Sequence, residues 1–206
     1  MRAVIISGGR IIDYEFTKSQ IADNDTIICA DSGYNHAAQM GLLVSAVVGD
    51  FDSIGDTVIA KNTATMRVPA KKDLTDTELA LGYARERGYR DFLFIAAMGT
   101  RLDHSLANIL LLKGCIERGE HAVIVDEHNK IMLTNSALIL NEPPGSTVSL
   151  IPLDNCHDVI TQGLEYPLRG EALMMGKGLG ISNVMVSEHA EISIKTGLLL
   201  VIVAKD

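Results

Sequence analysis

Phe92-Leu93-Phe94-Ile95-Ala96-Ala97, followed by Met98-Gly99-Thr100-Arg101-Leu102-Asp103-His104 and then Ala107-Asn108-Ile109-Leu110-Leu111-Leu112, is the stretch on which the fold turns. A short apolar run leads into a junction of glycine and charge, then into a segment that reads as helix and ends near Gly119. Upstream, Thr75 to Arg87 is the clearest helix: Thr75 and Glu78 form a capping-box pattern, and Gly88 supplies a stop. On either side the alternation continues, with strand-like runs at Ala3–Ser7, Thr26–Ala30, Ala46–Val48, Met66–Pro69 and Ala122–Asp126. Strands that alternate with helices predict an α/β unit with a doubly wound, mainly parallel sheet over residues 1–127.

After Glu127 strand-like runs succeed one another directly: Lys130–Thr134, Ala137–Leu140, Thr147–Pro152, Asn183–Ser187, Glu191–Ile194 and Leu198–Ala204. Glu142-Pro143-Pro144-Gly145 is a strong turn signal. Residues 128–206 are therefore expected to form a small all-β, sandwich-like domain.

The chain has 206 residues, 47% of them hydrophobic, enough to bury a core. With 26 acidic and 18 basic residues its net charge is −8, the wrong sign for a nucleic-acid or anionic-membrane partner. No apolar run is long enough to span a bilayer, and Met1-Arg2-Ala3 leads straight into a strand-like run without a signal peptide. Cys29 is read on a strand, Cys115 on a helix and Cys156 in a loop; three cysteines without a CxxC pattern suit reduced thiols in a cytoplasm.

In an open parallel sheet, ligands bind beyond the carboxyl ends of the strands. The junctions after the first five expected strands carry glycine, carboxylate or both: Ser7-Gly8-Gly9, Asp31-Ser32-Gly33, Gly49-Asp50-Phe51-Asp52-Ser53, Lys71-Lys72-Asp73-Leu74-Thr75-Asp76, and Gly99 to His104. Such an edge suits a nucleotide with Mg²⁺, which prefers a few carboxylates and leaves its other positions to water and phosphate. Asp50 and Asp52 sit two apart in a tight loop, and Asp76 in a first helical turn adds a third carboxylate. Gly8 and Gly9 expose backbone N–H groups to phosphate, while Lys72 and Arg101 supply cations. Singly, each acidic residue reads as a turn or a cap; together, at one edge, they read as a site. Gly170–Lys177 and Gly176–Gly180 have the wrong spacing for a phosphate loop or a dinucleotide fingerprint and are read as loop glycine.

The order of motifs resembles the bacterial thiamine pyrophosphokinases over nearly the whole chain. It is carried by Ala30-Asp31-Ser32-Gly33, Gly49-Asp50-Phe51-Asp52-Ser53, Lys72-Asp73-Leu74-Thr75-Asp76-Thr77-Glu78 and Arg101-Leu102-Asp103-His104. Ser149-Leu150-Ile151-Pro152, Gly163-Leu164-Glu165-Tyr166-Pro167-Leu168 and Gly180-Ile181-Ser182-Asn183 add to it from the β-rich part. The resemblance implies transfer of a pyrophosphoryl group from ATP to the hydroxyl of thiamine with release of AMP, and a homodimer with shared active sites. It implies Mg²⁺ on Asp50, Asp52 and Asp76, with Asp31, Asp73, Arg101 and Asp103 at the reaction centre. Gly8, Gly9, Ser32, Lys72, Arg101 and His104 would bind the nucleotide, and Ser182 and Asn183 would contact thiamine. The family more often has glycine at the position of Ser32 and an acidic residue at that of Val184, and no tryptophan is present to stack on the substrate. Two other classes share the acidic loops: a metal-dependent phosphohydrolase, and a nucleotide-binding module without catalysis. ATP breakdown without thiamine would mark the first, and no turnover at all the second.

Overall fold

The computed structural model describes residues 1–52, 54, 55, 59–68 and 73–205. The chain divides into two compact units, Met1–Glu127 and His128–Asp206. The first unit runs β1 (Ala3–Ile6), α1 (Tyr14–Ser19), β2 (Thr26–Ala30), α2 (Gly33–Gln39), β3 (Val44–Gly49), β4 (Ala64–Arg67), α3 (Asp76–Glu86), β5 (Asp91–Ile95), α4 (Leu102–Ile116) and β6 (His121–Val125). Its strands lie in the order β6-β5-β1-β2-β3-β4, and each neighbouring pair is parallel. The chain steps outward from β1 to β4 and then returns to the other flank of β1, so the winding reverses between β1 and β5. That reversal leaves a crevice at the strand ends.

β1 is buried at every residue and β5 at all but Asp91, because strands covered by helices on both faces carry apolar side chains on both. β4 is exposed throughout, and it occupies Ala64–Arg67 rather than the expected Met66–Pro69; an edge strand without a buried face leaves no apolar pattern to fix its limits. Pro69 lies outside the described residues.

α3 matches its expected span once caps are counted. Thr75 is the N-cap, its hydroxyl accepting from the Glu78 N–H at 3.2 Å, and Gly88 takes φ +87° just past the C-cap Arg87. α4 begins one residue before Asp103, which is therefore inside the first turn and not the cap. α1 and α2 carried no usable period. α1 buries only Thr17 and is held by the Asp13 side chain, which accepts from the Phe16 N–H at 2.9 Å. α2 buries Gly33, Tyr34 and Ala37, and a Cβ on Gly33 would collide with the carbonyl oxygen of Ile6. Glycine is what lets α2 rest on the end of β1.

The second unit contains β7 (Asn129–Thr134), β8 (Ala137–Asn141), β9 (Thr147–Pro152), β10 (Cys156–Gln162), β11 (Arg169–Leu173), β12 (Asn183–Val184), β13 (His189–Ser193) and β14 (Leu199–Ala204). Within it, β12-β9-β14-β7 and β11-β10-β13-β8 are two antiparallel layers, a sandwich-like arrangement without helix among the described residues. β9 alternates partly and fully buried residues, which is the period-2 signature of a strand with one face on the core. β10 and β11 were not expected. β10 is bulged, with register shifts between Cys156 and Ile160 and φ +51° at Asp158, and β11 buries only Leu173. Cys156 is accordingly a buried strand residue, not a loop residue, and Gly170 lies within β11. Among the described residues no helix is long and apolar enough to cross a membrane.

The close seat of α2 gives a direct test. Gly33→Ala is expected to destabilise the protein by about 1–3 kcal/mol through overpacking against the β1 carbonyl. Urea unfolding measures it; a midpoint equal to wild type would show that α2 does not need the close approach.

Candidate active site

A cavity of about 570 Å³ lies at the carboxyl ends of β1, β2 and β5. Four segments wall it: Ser7–Arg10 after β1, Ala30–Ser32 after β2, Thr75–Thr77 at the start of α3, and the β5–α4 junction with His104 and Asn108. α3 and α4 both begin there, so the positive ends of two helix dipoles face the cavity.

The walls are tied to each other. The Gly9 N–H donates to the Ala96 carbonyl at 2.7 Å, and the Arg10 N–H to the Met98 carbonyl at 3.0 Å. A Cβ on Gly9 would collide with both of those carbonyl oxygens, so the position admits glycine alone. The Gly9 amide is thus engaged by Ala96, and the missing side chain serves the close approach of the two loops. The buried hydroxyls of Ser7 and Thr77 meet at 2.9 Å, joining β1 to α3. Buried Asn108 donates to the Ala97 carbonyl at 2.6 Å. Thr77, Asn108 and Arg10 were missed by sequence reasoning, since neutral or isolated polar residues give no pattern.

Asp31 is buried on the wall with φ +46°, and its carboxylate accepts from the Phe51 N–H at 3.1 Å. Gly49 has φ +156°, and a Cβ there would stand 2.9 Å from Asp31 Cβ and 3.2 Å from Asp76 Oδ1. Asp31 and Asp76 therefore both pack against Gly49 and both line the cavity, and Asp50 comes directly after that glycine. Asp31, Phe51 and Ala96 are three of five non-glycine residues with positive φ among the described residues. Such strained backbone gathers where function over-determines it.

Gly8, Gly9, Asp31, Ser32, Asp76, Arg101 and His104 stand on the cavity wall as expected from their junctions. Asp50, Asp52, Asp73 and Asp103 do not line it. Asp52 is exposed, and its N–H donates to Asp50 Oδ1 at 3.0 Å. Lys72 lies outside the described residues. Among those described, no three His, Cys, Asp or Glu residues are grouped as a metal cage. The hard carboxylate oxygens of Asp76 on the wall and of Asp50 and Asp52 in the loop after Gly49 still fit Mg²⁺, which takes few protein ligands and completes its shell with water and phosphate.

Arg101 and Asp103 form an exposed fork–fork pair, Nε–Oδ1 3.2 Å and Nη2–Oδ2 2.6 Å. The guanidinium hydrogen bond holds the Asp103 carboxyl down at about 2. In the second unit, Ser182 is exposed with φ +56°. Asn183 is buried, its Oδ1 accepting from the Tyr166 and Val184 N–H groups at 3.0 and 2.9 Å and its Nδ2 donating to the Tyr166 carbonyl at 2.7 Å. That amide braces the Tyr166 turn, leaving Ser182 as the more open neighbour.

A switch-point cavity lined by carboxylates, arginines and two helix N-termini marks the first unit as a doubly wound α/β domain, followed by a β sandwich-like unit. The family description "Thiamin pyrophosphokinase, catalytic domain" matches residues 17–124, and "Thiamin pyrophosphokinase, vitamin B1 binding domain" matches residues 136–199. The chain belongs to the thiamin pyrophosphokinase family. It is 29% identical over 194 residues to a thiamine pyrophosphokinase of Bacillus subtilis (strain 168), covering 87% of each chain. A thiamin pyrophosphokinase of Caenorhabditis elegans is 22% identical over 164 residues, 74% of this chain and 67% of that one. The crystal structure of a Bacillus subtilis thiamine pyrophosphokinase superposes with a TM-score of 0.88 at 24% identity, each chain fully covered. That of a Geobacillus thermodenitrificans thiamin pyrophosphokinase gives 0.86 at 25%, covering 100% and 98%.

The Arg101–Asp103 pair makes its contribution depend on pH with a definite sign. Asp103 is depressed when folded, so the contribution of the pair is present above about pH 4 and fades as pH falls toward 2. Carboxyl NMR titration is expected to show a midpoint near 2, moving toward the ordinary value of about 3.9 in Arg101→Gln. An unmoved midpoint would remove the pair as the cause.

Proposed function

We propose that the switch-point cavity is where this family member performs its reaction: the thiamine hydroxyl oxygen attacks the β-phosphorus of ATP, the bond from that phosphorus to the α-phosphate oxygen breaks, and AMP leaves. The products are thiamine diphosphate and AMP, and the hydroxyl proton passes to a carboxylate. Supporting this reading, Asp31, Asp76 and Arg101 line one cavity at the strand ends, with Asp31 and Asp76 both packed against Gly49.

Asp31 and Asp73 are the candidate bases; Asp31 is the better placed because it stands on the cavity wall. Asp50, Asp52 and Asp76 are the proposed Mg²⁺ ligands, the ion when bound supplying charge neutralisation on the phosphates. Arg101, released from Asp103, offers two parallel hydrogen bonds to phosphate oxygens, and His104 and Ser32 add polar contacts to the nucleotide. Ser182, steadied by its neighbour Asn183, is the proposed thiamine contact. Catalysis on this scheme is mostly positioning and charge neutralisation. Residues 1–127 carry the nucleotide and residues 128–206 the vitamin, in a homodimer located in the cytoplasm.

AMP formation from ATP and Mg²⁺ is expected only when thiamine is added. Asp52→Asn is expected to abolish nearly all of it while leaving the melting temperature unchanged, since the amide keeps shape and loses charge. Thiamine-independent release of phosphate would instead indicate a phosphohydrolase, and near wild-type turnover of the variant would remove Asp52 from the site. Sedimentation is expected to show a dimer; an active monomer would refute the shared-site assembly.

A further inference from the structure

His36 lies in the last turn of α2, and both ring nitrogens are engaged. Nε2 is 2.8 Å from the Gly9 carbonyl oxygen, and Nδ1 is 2.7 Å from the Tyr14 hydroxyl. A carbonyl can only accept, so Nε2 carries the hydrogen; in the neutral ring Nδ1 then accepts from Tyr14. Burial raises the Tyr14 pKa, which keeps that hydroxyl a donor. The ring's tautomer and plane are thereby set by two partners, one on α1 and one on the loop after β1.

That loop is a wall of the cavity. Gly9 is pinned to the β5 side by its N–H bond to Ala96, which itself holds φ +51°. α2 carries the other wall: it begins directly after Asp31 and Ser32, and its first residue Gly33 is pressed on the end of β1. One short helix therefore touches the β1 end at Gly33 and the β1 loop at His36, setting the separation between the glycine loop and the Asp31 carboxylate.

We propose that His36 is a positioning residue for the nucleotide half of the cavity, acting through the Gly9 carbonyl, with Tyr14 as its tautomer lock. The inference rests on the reading that this cavity takes ATP. Loss of the bond frees the Gly9 loop relative to Asp31, which weakens nucleotide binding without touching the thiamine end.

His36→Ala is expected to raise the KM for ATP about tenfold, with the KM for thiamine unchanged. His36→Gln, which can present an N–H to the same carbonyl, is expected to restore most of the loss, and Tyr14→Phe to show a smaller rise. Calorimetric titration with Mg²⁺ and α,β-methylene ATP should reproduce the order wild type, His36→Gln, His36→Ala in affinity, each protein's melting temperature being recorded alongside. Equal ATP constants in wild type and His36→Ala would overturn the assignment. So would a His36→Gln as impaired as His36→Ala, or a loss confined to melting temperature. Wild-type enzyme that made no thiamine-dependent AMP would instead defeat the functional reading, and the titration alone would then decide the role of His36.

Discussion

Two backbone hydrogen bonds across the winding reversal, Gly9 N–H to Ala96 and Arg10 N–H to Met98, join the segments that leave β1 and β5. Here the two loops run on together past the sheet, floor the cavity, and place the β2 junction, α3 and α4 around it. The close contact is possible only because residue 9 lacks a side chain.

The cavity combines opposing charges in an acidic protein. Asp31 and Asp76 share the cavity wall near Gly49, and carboxylates gathered on one wall favour a cation beside them. The helix N-termini and Arg101 favour an anion a short way off. The metal-bound ATP proposed for this cavity would meet both demands at once. Arg101 is meanwhile occupied by Asp103 in an exposed pair, and surface pairs of this kind are weak enough to exchange partners.

In the β-rich unit the organising polar group is the Asn183 amide, buried and bonded to the backbone of Tyr166. A buried amide left without partners would be costly, so those contacts fix the turn. Ser182, next to it, is held in the left-handed region at the surface. The same unit shows why some strands escaped sequence reasoning. β9 and β14 carry dense apolar or alternating residues, whereas bulged β10 breaks its own period and edge strand β11 buries one side chain.

By itself the sequence determined the parallel sheet, the β-rich unit and the junctions where chemistry gathers. Those depend on local signals: apolar runs, the Thr75 cap and the Gly88 stop, and carboxylates placed just after strands. The order of its motifs also resembled the family whose description matches residues 17–124. Tertiary structure decided which of these side chains share a cavity. Asp31 and Asp76, far apart in the chain, share a cavity wall only because β2, β3 and α3 are folded side by side near Gly49. It also decided that the Gly9 amide is spent on Ala96, that the Asn183 amide braces the Tyr166 backbone, and that His36 reaches from α2 back to the loop at Gly9. A hydrogen bond between residues distant in sequence leaves no periodic trace, so such pairings become visible only when the elements are packed.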